Sequence, residues 1–152
     1  SHFSNNRYHP VLKKWRAHKG VDYGAPRGEP VMATAAGKVV QMGKKGAYGR
    51  LVTLQHGKTY QTVYAHLSRV AKGLRKSTSV KQGQVIGFVG SSGLATGPHL
   101  HYEFRVNGQH RNPLTVKLPR SSSIARKEKH AFSHKAKLWT ARLETLSTKS
   151  VQ

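Results

Sequence analysis

The stretch Gly97-Pro98-His99-Leu100-His101-Tyr102-Glu103-Phe104 decides how this chain is read. In a strand, successive side chains turn to opposite faces, so residues two apart share one. His99 and His101 therefore project together, while Leu100 and Tyr102 face the other side. Two imidazoles side by side on stiff backbone can share a metal ion, or one can bind metal while its neighbour moves protons. Glu103 lies on the same strand face as His101. It stands either as a partner that orients an imidazole or as an exposed strand-end charge.

Upstream runs Ala17-His18-Lys19-Gly20-Val21-Asp22-Tyr23-Gly24. A spacing of four would put His18 and Asp22 on one face of a helix, but Gly20, Val21, Gly24 and Pro26 argue against a helix. In extended chain a spacing of four is also even, so both side chains still project to one side. Asp22 is the only aspartate, and the chain holds five acidic residues in all, so oxygen ligands are scarce. The expected site is two imidazoles and one carboxylate with a fourth position left for water, the open arrangement of catalytic zinc. The zinc-protease helix motif His-Glu-x-x-His is absent. A third segment, Thr62-Val63-Tyr64-Ala65-His66-Leu67-Ser68, alternates Tyr64 and His66 with Val63 and Ala65. It reads as a half-buried strand ending at a polar turn. Tyr64, on the face expected for His66, is a candidate substrate contact.

Taken in this order, the three segments resemble those of the lysostaphin/LytM-type zinc metallopeptidases, envelope endopeptidases that cut peptide cross-links in bacterial cell walls. That pattern is His-x-x-x-Asp, then Tyr-x-His-Leu, then His-x-His. Further likeness lies in Gly24 to Val31, Val80 to Gly87, the loop from Ser92-Gly93 to Gly97-Pro98, and Asn112-Pro113-Leu114. It covers about residues 3 to 114. The resemblance implies one zinc ion held by His18, Asp22 and His101, with His66 and His99 beside it as catalytic residues. One of these two serves as general base and acid, the other as a donor to the oxyanion, and the roles are not divided between them.

The opening Phe3 to Leu12 is more similar to Gram-negative envelope members than to the secreted glycyl-glycine cutters. The resemblance thus implies a periplasmic enzyme, expected to be a monomer, acting on peptidoglycan stem peptides at the D-alanyl–meso-diaminopimelate bond. Some relatives have lost metal ligands and activate amidases, so a non-catalytic regulator of a separate cell-wall amidase is the alternative. Every expected ligand is present here.

Composition sets the remaining bounds. The 152 residues contain no cysteine, which removes thiol catalysis and disulfides. No run of 18 apolar residues offers a membrane span. The start at Ser1-His2-Phe3, without methionine or signal peptide, suggests a trimmed fragment. The formal charge is +22, with 18 of the 27 lysines and arginines in residues 1 to 114. Such a field attracts polyanions generally. No helix-turn-helix, zinc-finger or paired aromatic RNA-binding motif accompanies it, so no specific nucleic-acid partner is expected.

Gly57-Lys58-Thr59 lacks the first glycine of a phosphate loop, and Gly90-Ser91-Ser92-Gly93 is not Gly-x-Ser-x-Gly. His2, His9, His110, His130 and His134 read as surface groups; His56 precedes a glycine turn without an evident role.

Strands are expected at 31–34, 37–42, 51–56, 61–66, 85–90 and 99–106, with a hairpin at Asn107-Gly108. The fold class is mainly β: a compact twisted antiparallel sheet with an open substrate groove, walled by 46–49 and 91–97, plus a C-terminal helical extension. Residues 1–116 form the expected peptidase domain. After Pro119, Ile124, Phe132, Ala136, Trp139, Leu143 and Leu146 recur at three-to-four spacing, and 117–152 reads as a basic amphipathic helical extension.

Overall fold

Runs of β-branched and aromatic residues punctuated by glycine turns build this domain almost wholly from strands. The computed structural model describes residues 1–9 and 12–117. The helical extension expected over 117–152 lies, beyond Lys117, outside the described residues. The fold class read from sequence is otherwise observed.

The strands are β1 (Ser4–His9), β2 (Lys14–His18), β3 (Val21–Gly24), β4 (Pro30–Met32), β5 (Gly37–Lys44) and β6 (Arg50–His56). They continue as β7 (Tyr60–Leu67), β8 (Arg69–Val70), β9 (Ser79–Val80), β10 (Val85–Phe88), β11 (His99–Val106) and β12 (Gln109–Arg111). Among the described residues the only helical segment is a 3-10 turn at Gly46–Tyr48. The largest sheet runs β12-β11-β7-β6-β5-β9, with β3 also paired to β11. A second sheet is β4-β10-β8, and β1-β2 form a separate hairpin. Every pairing between these strands is antiparallel. The β11-β12 turn places Asn107 at φ 48° and Gly108 at φ 77°. Two consecutive positive φ values are what a tight hairpin demands, and Asn-Gly supplies them with least strain.

The core gathers on one face of the large sheet. Val39 of β5, Val52 and Leu54 of β6, and Tyr64 and Leu67 of β7 cluster with Val31 of β4 and Ile86 of β10. Leu100 and Tyr102 pack against them from β11. Each large apolar side chain fully buried in this way stabilises by about 1.5–3 kcal/mol. With that face occupied by packing, alternation along β11 sends His99, His101 and Glu103 to the other.

Candidate metal centre

Three strands bring the site together. Along the β3-β11 ladder, Asp22 lies directly opposite His101 and Gly24 opposite His99. His18 ends β2, and the chain bends at Gly20 before β3 starts at Val21, so the continuous extended stretch expected over His18 to Asp22 is broken there. Gly20 is required there, because a Cβ would stand 2.5 Å from Tyr102 O and 2.7 Å from His101 Cε1. This close approach brings His18 against His101, with ring centroids 5.1 Å apart.

The donor atoms converge. His18 Nε2 and His101 Nδ1 lie 2.9 Å and 2.8 Å from Asp22 Oδ1, and 3.2 Å from each other. Tetrahedral zinc with bonds near 2.0–2.1 Å would separate its ligand atoms by about 3.3 Å. The opposite ring nitrogens define the tautomers. His18 Nδ1 lies 2.7 Å from the carbonyl of His2, which can only accept, so this nitrogen carries the hydrogen. His101 Nε2 likewise donates to Glu103 Oε1 at 3.3 Å. In this state His18 Nε2, His101 Nδ1 and Asp22 Oδ1 all present lone pairs to one spot, an arrangement that a cation relieves. Outward N–H groups held by a carbonyl and a carboxylate are the usual supports of metal-binding histidines. The residues therefore fit zinc by chemistry and by size.

The charges agree. Burial opposes ionisation of Asp22, but the adjoining His101 and His18 rings outweigh it and hold the carboxyl well below the ordinary range. Burial also lowers the His101 pKa, yet Asp22 and Glu103 overcome it and raise it, marking a spot that draws positive charge. Arg7 Nη1 stands 3.7 Å from the other oxygen of Asp22.

His66 and His99 flank this cluster. His66 Nδ1 donates to Ser92 O at 2.8 Å, and His99 Nδ1 to Gly97 O at 2.9 Å. Each ring thus keeps Nε2 as an acceptor; that of His99 is 3.8 Å from Asp22 Oδ1. Burial lowers the His66 pKa, and the carbonyl of Ser92 only partly offsets this, so the ring stays neutral around pH 7.

His66 reaches the site by an irregularity. Regular alternation would turn it to the side of Tyr64. Its φ is 59°, and the β7-β11 pairing ends at Ala65 opposite His101. The left-handed residue breaks the alternation and turns His66 toward His99 and His101, at ring distances of 4.7 Å and 5.7 Å. Tyr64 does not follow it. It lies opposite Tyr102 in the core at 1% exposure, and its hydroxyl accepts from the Thr34 amide at 3.0 Å and from the Thr62 hydroxyl at 3.1 Å. The structure thus leaves Tyr64 away from the groove.

Glu103 is a buried hub rather than an exposed strand end, at 1% exposure. Besides His101, it accepts from Tyr48 Oη at 2.7 Å, Arg105 Nε at 3.0 Å and His110 Nε2 at 3.1 Å. Burial would raise its pKa, but hydrogen bonds from His101, Tyr48 and Arg105 bring it down to about 2. Tyr48 is pushed up to about 12 by burial and the neighbouring carboxylate. The sequence reading missed Tyr48 and Arg105 and took His110 for a surface group. Arg105 was legible, because it lies two residues beyond Glu103 on the same strand and shares its face. Tyr48 comes from the 3-10 turn and His110 from β12, and no local pattern brings either to Glu103. His56 is a structural pin, bonded to Ala36 O at 2.7 Å and Thr62 Oγ1 at 2.8 Å.

A groove of about 390 Å3 runs over these groups. One wall is Ala47, Tyr48 and Leu94 to Thr96; the other carries Arg7, Arg16 and Lys19. The first wall comes from the two loops expected to form it. They lock together through Leu94 N to Ala47 O at 2.8 Å and Arg50 N to Ser92 Oγ at 2.8 Å. Gly49 and Gly93, both at positive φ, touch backbone to backbone where no Cβ would fit.

Fold and donor set are those of a metallopeptidase domain. The profile of peptidase family M23 matches residues 16–113, and the chain belongs to that family. DD-carboxypeptidase/endopeptidase Mpg of Neisseria meningitidis is 48% identical over 127 residues, 84% of this chain and 29% of that protein. Peptidoglycan DD-endopeptidase ShyC of Vibrio cholerae is 44% identical over 147 residues, 97% of this chain and 34% of its own. A zinc-containing peptidase from Vibrio cholerae superposes with a TM-score of 0.72 at 36% identity, over 78% of this chain and 36% of that one. The catalytic domain of lysostaphin from Staphylococcus simulans gives 0.66 at 29% identity, over 75% and 86%. The chain spans about a third of the length of the curated relatives it matches.

Proposed function

We propose that this domain is a zinc-dependent endopeptidase that opens the D-alanyl–meso-diaminopimelate bond of peptidoglycan cross-links, working as a monomer in the periplasm. His18, Asp22 and His101 hold the ion. Zinc, when bound, supplies Lewis acidity that polarises the scissile carbonyl and lowers the pKa of water to about 7. One of His66 and His99 takes the proton of the attacking water on Nε2 and returns it to the leaving amine. The other, as an imidazolium that has taken a solvent proton on Nε2 while Nδ1–H stays on its carbonyl, donates to the oxyanion, a contribution of about 3 kcal/mol where such donors have been removed. Neutral His66 suits the base. The walls of the groove keep the peptide extended and aligned along the sheet.

The observation that carries this reading is the convergence of three lone pairs beside two carbonyl-anchored imidazoles. It also disfavours the amidase-regulator alternative, since an activator has no need of an intact donor set. The direct test is mass spectrometry of sacculi treated with zinc-loaded protein. Release of monomeric muropeptides with a new diaminopimelate amine, stopped by a chelator, is expected. Undigested sacculi, with acceleration of an added amidase, would reverse the choice.

A further inference from the structure

The groove wall that carries His18 is basic in an unusual way. Arg7 and Arg16 lie directly opposite each other in the β1-β2 hairpin, and both line the groove. Like charges in facing cross-strand positions destabilise a hairpin. Lys19 adds a third cation on the same wall. Among the described residues the carboxylates offset only Arg7 of the three. Glu103 is enclosed by its own donors, and Glu29 lies in the turn after Pro26 and does not line the groove. Of the three cations Asp22 pairs only with Arg7, its Oδ2 lying 3.7 Å from Arg7 Nη1 and also accepting from Ser1 Oγ, a hydroxyl that Arg7 contacts too, while Oδ1 belongs to the donor cluster. Arg16 is exposed and has no carboxylate partner among the described residues. Two residues before His18 on β2, it shares that strand face and lines the groove.

The geometry points to an anion subsite: Arg7 and Arg16 bind a free substrate carboxylate on the carbon that bears the scissile amide nitrogen. This rests on the cross-link reading above and deepens it. The nitrogen that diaminopimelate contributes to a cross-link sits on a carbon carrying a carboxyl group. In a peptide whose carbonyl faces the His18–Asp22–His101 cluster, that carboxylate is two bonds from the reacting nitrogen. Arg7, within 4 Å of Asp22, is close enough to meet it. Paired guanidiniums supply planar forks of N–H donors suited to a carboxylate. The like-charge cost within the hairpin is then relieved when substrate binds. It also directs the leaving-amine side of the peptide to the β1-β2 wall.

The test compares two synthetic cross-linked peptides that share the D-alanyl–diaminopimelate bond. In one the neighbouring carboxyl is free; in the other it is a primary amide. The wild type is expected to prefer the free acid roughly tenfold or more in kcat/KM, with the difference mainly in KM. Arg16→Gln is expected to bring the two peptides within about threefold, and Arg16→Lys to retain an intermediate preference, because charge remains while the planar fork is lost. Zinc content and melting temperature are recorded for each variant. Equal handling of acid and amide by the wild type would overturn the subsite, and that comparison needs no variant to fold. So would an Arg16→Gln protein that keeps the full preference. A wild type that opens sacculus cross-links but treats acid and amide alike loses only the subsite. A zinc-loaded wild type that cleaves neither peptide nor sacculi loses the cross-link reading as well.

Discussion

His66 and His99 face each other with ring centroids 4.7 Å apart, and each gives its Nδ1 hydrogen to a backbone carbonyl. Ser92 and Gly97, which supply those carbonyls, lie at the two ends of one loop, so a single segment orients both rings. Replacing either histidine by alanine is expected to leave zinc content unchanged while kcat falls by about 10²–10⁴. Metal analysis alongside single-turnover kinetics checks this; loss of zinc in either variant would make that ring a ligand.

The pH dependence follows from the direction of the His66 shift. Burial depresses its pKa below the ordinary 6.5, so the neutral base persists into mildly acidic solution. With saturating zinc, kcat/KM is expected to hold as pH falls to 6.5 and to drop only below it. The same group contributes stability that is present above 6.5 and lost as pH falls through its folded pKa. A pH–rate profile with its acid limb above 6.5 would contradict this assignment.

Ligand loss should separate from base loss. His101→Ala and Asp22→Asn are expected to abolish both zinc binding and turnover. For the wild type, free zinc at a thousand times its Kd stabilises the fold by about 4 kcal/mol, so chelation lowers the melting temperature. Calorimetry with and without chelator measures the difference, and the two variants should show none.

Glu103→Gln removes a carboxylate that accepts from four residues. Leaving the half-buried Arg105 beside a neutral amide should cost about 2 kcal/mol, and weakened orientation of His101 should cost about tenfold or more in zinc affinity. The Glu103 pKa falls from 4.5 to about 2 on folding, so its stabilisation is full above 4.5 and vanishes as pH drops through about 2. Urea titrations between pH 2 and 6 should therefore show a smaller acid-induced loss in the variant than in the wild type.

Tyr64→Phe tests whether that residue acts on substrate or on the core. Its hydroxyl joins Thr34 to Thr62 beneath the sheet. The variant is expected to lose about 1–2 kcal/mol of stability and to keep kcat and KM. A raised KM with unchanged stability would return Tyr64 to the groove.

What the chain's order of residues determined by itself is local. Strand periodicity put His99 and His101 on one face, and Asn107-Gly108 closed a hairpin. These follow from backbone geometry, which acts between neighbours and needs no partner. The same periodicity assigned His66 and Tyr64 to one face, whereas the structure separates them. At His66 the backbone leaves the strand region as pairing with β11 ends. The Glu103 hub was equally hidden, because Tyr48 is 55 residues from it in sequence and reaches it across the sheet. Only tertiary structure decided these features. Where a strand stops pairing, and which distant donors enclose a buried charge, depend on contacts between segments that no local pattern encodes.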